Sequence, residues 1–124
     1  MLRSKMGAHD EAQFGFETLD VYQRAVDFVA RANDIVARLP PGQAALADQL
    51  RRAAMSVVLN IAEGSGRFRD ADAARHRAIA RGSAMECAAV LDICRVLGFA
   101  ESQLLDEARG LLVRVVQMLS RRCR

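Results

Sequence analysis

The sequence predicts an all-α fold, an antiparallel up-down-up-down four-helix bundle. Three observations carry that prediction. Apolar residues recur at intervals of three and four along four long segments. Breaks of only a few residues, rich in Gly and Pro, separate the segments. The apolar fraction is built mainly from Ala, Leu and Val, with 5% aromatic residues and no Trp, a helix-favouring composition. Short connections between amphipathic helices make consecutive helices antiparallel neighbours. The 124 residues fit one domain. Such a chain buries roughly two-thirds of the surface its unfolded form exposes, so neither a disulfide nor a metal is needed for folding. Residues 1–16 read as a polar, flexible leader and 17–124 as the bundle.

The first helix is expected over 18–39. Thr18 is its candidate N-cap and Asp20 lies in its first turn. Val21, Ala25, Phe28, Val29, Ala32, Ile35, Val36 and Leu39 form its stripe, and Pro40, Pro41 and Gly42 end it. The second, over 43–63, turns Leu46, Leu50, Ala53, Ala54, Val57, Val58 and Ile61 inward and stops at Gly64–Gly66. The third, over 70–97, starts at a candidate cap, Asp70, and stops at Gly98. Its length is ~42 Å, and its inner face includes Ala73, His76, Ile79, Ala80, Ser83, Cys87, Val90, Leu91 and Cys94. The fourth, over 101–121, carries Leu104, Leu105, Ala108, Leu111, Leu112, Val115, Val116 and Leu119 inward. Val113 and Met118 fall off that stripe, as Tyr22 does on the first helix. A wide apolar surface on so small a bundle points to a second interface, with other copies of the chain.

Composition excludes several classes. No run of about 18 apolar residues exists to span a membrane, and the opening MLRSKMGAHDEAQ has no apolar signal region. The cytoplasm is therefore the expected compartment. Cys87 and Cys94 lie two helical turns apart, ~10 Å, too far for a disulfide, and read as small buried hydrophobes. The net charge is +3. Its positive part gathers in the middle and at the end: Arg51, Arg67, Arg69, Arg75, Arg77, Arg121 and Arg122 are candidate contacts for an anionic partner such as RNA or DNA. A solvated arginine-rich surface reads equally well from the same residues, since Lys5 is the only lysine.

The stretch QLRRAAMSVVLNIAEGSG, residues 49–66, concentrates the remaining information. An apolar helix here also carries Arg51, Arg52, Ser56, Asn60 and Glu63. Polar groups beside a core need partners or cost stability. Folding the second and third helices back on each other at residue 67 sets Arg52 opposite Gly82, with Glu86 one turn away. It sets Ser56 near Ala78 and Ile79, and Asn60 near Ala74 and His76. Glycine inside a helix costs about 1 kcal/mol against alanine, so Gly82 is expected to be compensated by close approach of the second helix or of a neighbouring subunit, with an Arg52–Glu86 pair packed over it. The stripe reads mainly as a network fixing helix register.

Enzymatic alternatives are poorly supplied. A bundle di-iron site needs two Glu-x-x-His motifs and two further glutamates, and the chain has two histidines, His9 and His76. His76 with Glu63 or Asp72 is the one pairing worth naming. Spacing reveals no relay behind Ser56 or Ser83. Gly64-Ser65-Gly66 follows a helix rather than a strand and lacks the P-loop lysine. No catalytic residue, metal site or cofactor is expected.

The runs QLRRAAMSVVLNIAEGSGRF, ARGSAMEC (80–87), CRVLGF and FETLDVYQRAVDFVARANDIVARLP resemble the bacterial four-helix-bundle family whose founding members are encoded in intervening sequences of 23S ribosomal RNA. The resemblance covers 14–120. It implies a left-handed four-helix bundle that forms pentamers, with no catalytic activity. The matching motif positions are Gln49, Arg52, Ser56, Asn60, Glu63, Gly64, Arg81, Gly82, Ser83 and Glu86. A related branch comprises accessory proteins of diversity-generating retroelements, which are strongly basic and bind a reverse transcriptase and nucleic acid. This chain differs from them in its modest charge and acidic first half. The leading expectation is thus a non-enzymatic, homopentameric adaptor or scaffold. The alternative is an accessory protein that binds RNA, DNA or a nucleic-acid-binding protein.

Overall fold

The computed structural model describes residues 14–122. The first thirteen residues of the expected leader, with His9, and Cys123 in the tail lie outside the described residues. Four α-helices follow a short 3-10 turn, Gly15–Thr18: α1 (Asp20–Ala37), α2 (Ala44–Ser65), α3 (Asp70–Leu97) and α4 (Ser102–Arg122). Among the described residues there is no strand. Each helix packs on the next in sequence, and α4 closes back on α1. Cross-helix contacts set the directions. Gln49 and Asn60 of α2 meet Glu86 and His76 of α3, and Arg81 and Arg95 of α3 meet Ser120 and Asp106 of α4. Arg31 of α1 meets Glu107 of α4. Near the start of α1 and the ends of α2 and α4, Val21, Ile61 and Leu119 line one small cavity. The helices therefore run up, down, up and down.

The core lies on the bundle axis, as the periodicity predicts. Phe28, Ile35, Leu50, Val57, Leu91, Leu105, Val115 and Leu119 are its largest fully enclosed side chains. Cys87 and Cys94 are buried there as free thiols. Burial, followed by the nearby Glu86 charge, pushes the Cys87 thiol up to about 12, and burial raises Cys94 as well. Both thus stay protonated and inert near neutral pH. Two stripe assignments change. Met118 is buried rather than off-stripe, because the core is wide enough at the end of α4 to take it. Ile79 is 40% exposed, because it sits on the outer lip of the α2–α3 seam rather than on the axis.

The helix ends also correct the sequence reading. Thr18 does not cap α1. It belongs to the preceding 3-10 turn and donates its hydroxyl to the Gly15 carbonyl at 2.9 Å, leaving extended Leu19 as the cap residue. Glu17 holds that turn by accepting from the Phe14 backbone N–H at 2.9 Å. Phe16 packs edge-on against Tyr22, whose hydroxyl pKa is raised by burial and by Glu17. Asp70 is the first helical residue of α3 rather than its cap, which is Arg69. Asp70 and Asp72 still favour that first turn through the helix dipole. Gly98 ends α3 in the left-handed region, φ 68°, where glycine carries no Cβ penalty. α2 ends within the expected Gly64–Gly66 run, at Ser65, with Gly66 as its C-cap.

Candidate functional site

The seam between α2 and α3 collects the polar residues. The helices approach closely at Gly64, which is buried: a Cβ there would lie 3.0 Å from His76 Cβ and 3.3 Å from the Ala73 carbonyl oxygen. The missing side chain lets α3 seat its imidazole against α2. His76 is 8% exposed, and both its ring nitrogens are used. Asn60 Nδ2 donates to the Ser56 carbonyl at 2.9 Å and to Ser56 Oγ at 3.2 Å, which turns its Oδ1 toward His76 Nδ1 at 3.0 Å. That oxygen only accepts, so Nδ1 carries the proton. His76 Nε2 lies 3.3 Å from Glu63 Oε2, and the same carboxylate oxygen pairs with Arg67 at 3.5 Å. A neutral ring satisfies one of its two acceptors; the imidazolium satisfies both.

One turn further along, Ser56 and Ser83 share a hydrogen bond of 2.7 Å. Beyond them Gln49 Nε2 donates to Glu86 Oε2. Gln49–Glu86 and Asn60–His76 keep close to the register expected from a reversal at residue 67, while the serine pair departs from it. Ser56 meets Ser83, more than a turn along α3 from the expected Ala78. The expected Arg52–Glu86 ion pair is not formed, since Gln49 takes the carboxylate. Gly82 has no close approach either: a Cβ there would meet nothing within 4 Å. The close contact expected at Gly82 occurs at Gly64 instead. Arg81 leaves the seam for the other side of α3, donating from Nε to Ser120 Oγ at 2.7 Å.

This set of side chains does not make a nucleophile. The Asn60 carboxamide stands between His76 and Ser56, and an amide cannot take up and pass on a proton as imidazole does in a Ser-His relay. Among the described residues no group of three or more His, Cys, Asp or Glu is placed to hold a metal ion. None of the described helices is long and apolar enough to cross a membrane.

The arginine candidates divide. The antiparallel course carries Arg67, Arg69, Arg75, Arg77 and Arg121 to the end of the bundle that holds the Gly66–Arg69 turn. Arg51 lies toward the other end, paired with Asp48 at 3.8 Å. Arg122 ends α4, and its side chain is outside the described residues.

Two apolar grooves, on opposite faces, were not assigned from sequence. One, of about 370 Å³, lies between α1 and α2 and is lined by Val26, Val29, Ala32, Arg51, Ala54 and Met55, among others. The other, of about 240 Å³, lies between α3 and α4 against Met85, Ala88, Arg109, Leu112, Val113 and Val116. The off-stripe Val113 was the one signal of them in the sequence.

The 23S rRNA-intervening sequence protein family model matches residues 17–121. The chain belongs to that family. A crystal structure from Bacteroides thetaiotaomicron, described as a protein with unknown function from the S23 ribosomal protein family, is similar at a TM-score of 0.77 and 18% identity. The alignment covers 84% of this chain and 98% of that one, which at such identity establishes a shared fold. No curated protein matches the sequence. The family is one of unknown function, and neither match points to an enzyme.

Proposed function

We propose that this family member is a non-enzymatic cytoplasmic scaffold or adaptor that works as a homo-oligomer, a pentamer as the family resemblance implies. The supporting observation is the pair of apolar grooves on opposite faces. Two different adhesive faces favour head-to-tail contacts, which close into rings when the rotation between subunits permits. Met55 and Met85, 48% and 46% exposed, suit such contacts, since methionine adapts to irregular partners. Size-exclusion chromatography with light scattering tests this. A mass of several subunits is expected for the natural chain, with Met55→Asp shifting it toward the monomer. A clean monomer for the natural chain sinks the assembly reading.

The arginine-bearing end supports a second reading, a nucleic-acid or ribonucleoprotein contact. Arg69, Arg75 and Arg121 are exposed there. A gel shift with structured RNA at two salt concentrations decides it: binding through phosphates weakens steeply with salt, and no shift at low salt removes the idea.

A further inference from the structure

Where the α2–α3 seam opens toward solvent it leaves a polar cleft of about 250 Å³, lined by Gln49, Arg52, Ala53, Ser56, Ser83 and Glu86. Helix register does not account for its contents. Arg52 makes no ion pair or hydrogen bond among the described residues, although Glu86 lines the same cleft. Glu86 is held by Gln49 instead. The cleft therefore presents a guanidinium and a carboxylate that do not neutralise each other.

The two serines between them add a third group. Ser56 Oγ already accepts from Asn60 Nδ2, and it shares one hydrogen bond with Ser83 Oγ. Two hydroxyls carry two protons, and their mutual bond uses one. The other is left to donate. Behind the serines, Asn60 is locked by His76, so the hydroxyls are held in place.

We propose that this cleft binds an α-amino-acid zwitterion. The Arg52 guanidinium and the serine hydroxyl take the ligand carboxylate, and the Glu86 carboxylate takes its ammonium group. The guanidinium fork matches a carboxylate in two hydrogen bonds. A simple oxyanion would meet Glu86 and a simple cation would meet Arg52, each a like-charge contact. Only a ligand carrying both charges satisfies both lips. The amino-acid side chain leaves where the cleft opens toward solvent. Exposed lips compete with water, so the affinity expected is on the order of 1 mM. The inference does not depend on the oligomeric state.

The test is a thermal-shift screen of the full chain against each of the twenty amino acids, followed by calorimetry. A saturable signal is expected for at least one amino acid, with acetate and ethylammonium each about tenfold weaker or more. Arg52→Ala and Glu86→Gln should each weaken the amino acid about tenfold or more while keeping the helical circular dichroism. Arg114→Ala, exposed on α4 away from the α2–α3 seam, should leave the affinity unchanged. Three results overturn the proposal: no saturable binding by any of the twenty, acetate binding as well as the amino acid, or full affinity in both cleft variants.

Discussion

The two ends of the α2–α3 seam use similar polar residues to opposite effect. At the Gly64 end the helices touch, His76 is buried, and both its ring nitrogens find neighbours inside the seam. At the Glu86 end a cleft opens toward solvent, with Arg52 unpaired among the described residues. A glycine sits at each end, Gly64 beneath α3 and Gly82 facing open space. Whether a polar stripe becomes structure or surface chemistry thus depends on how closely the backbones approach, which small residues decide locally.

That contrast can be broken from either side. Gly64→Val is expected to have the largest effect. It forces a branched side chain into the 3.0 Å gap against His76 Cβ and the backbone of α3, destabilising the fold by about 3 kcal/mol. Urea unfolding followed by circular dichroism measures it; a loss under about 1 kcal/mol would mean the seam relaxes easily.

Asn60→Ala comes next. It leaves buried His76 Nδ1 without its acceptor and Ser56 without the amide that donates to it, at a cost of about 2 kcal/mol. Gly82→Ala should go the other way. With nothing within 4 Å of the new Cβ, it should stabilise the chain by up to about 1 kcal/mol through helix propensity alone. If it disrupts an oligomer instead, a neighbouring subunit covers Gly82. The smallest effect is Arg52→Ala, exposed and unpaired, expected within about 0.5 kcal/mol of the natural chain. A larger loss would assign Arg52 to the fold rather than to the cleft.

Much of the bundle is legible in the sequence because helix periodicity is local. The apolar stripes predict the cores of α1 to α4 and most of their buried residues, and the Pro-Pro-Gly and Gly98 breaks place the turns. The polar seam is legible only in part. Asn60 against His76 follows from counting back from the turn, whereas Ser56 against Ser83 does not. Counting back from a turn fixes a partner only to within about a turn of helix, and that error moves a side chain to another neighbour. Thr18 misleads for a related reason: its hydroxyl finds a closer acceptor in the 3-10 turn before α1 than at the helix end.

The helices, their order and the family can be read along the chain, since these rest on periodicity, breaks and motifs within short spans. Which glycine is a contact and which is open, the capture of Glu86 by Gln49 rather than Arg52, and the opposite placing of two apolar grooves emerge with the packed bundle. Those outcomes depend on helix separation and register. Both are set by packing across the whole bundle, where a shift of one turn exchanges every partner along a seam.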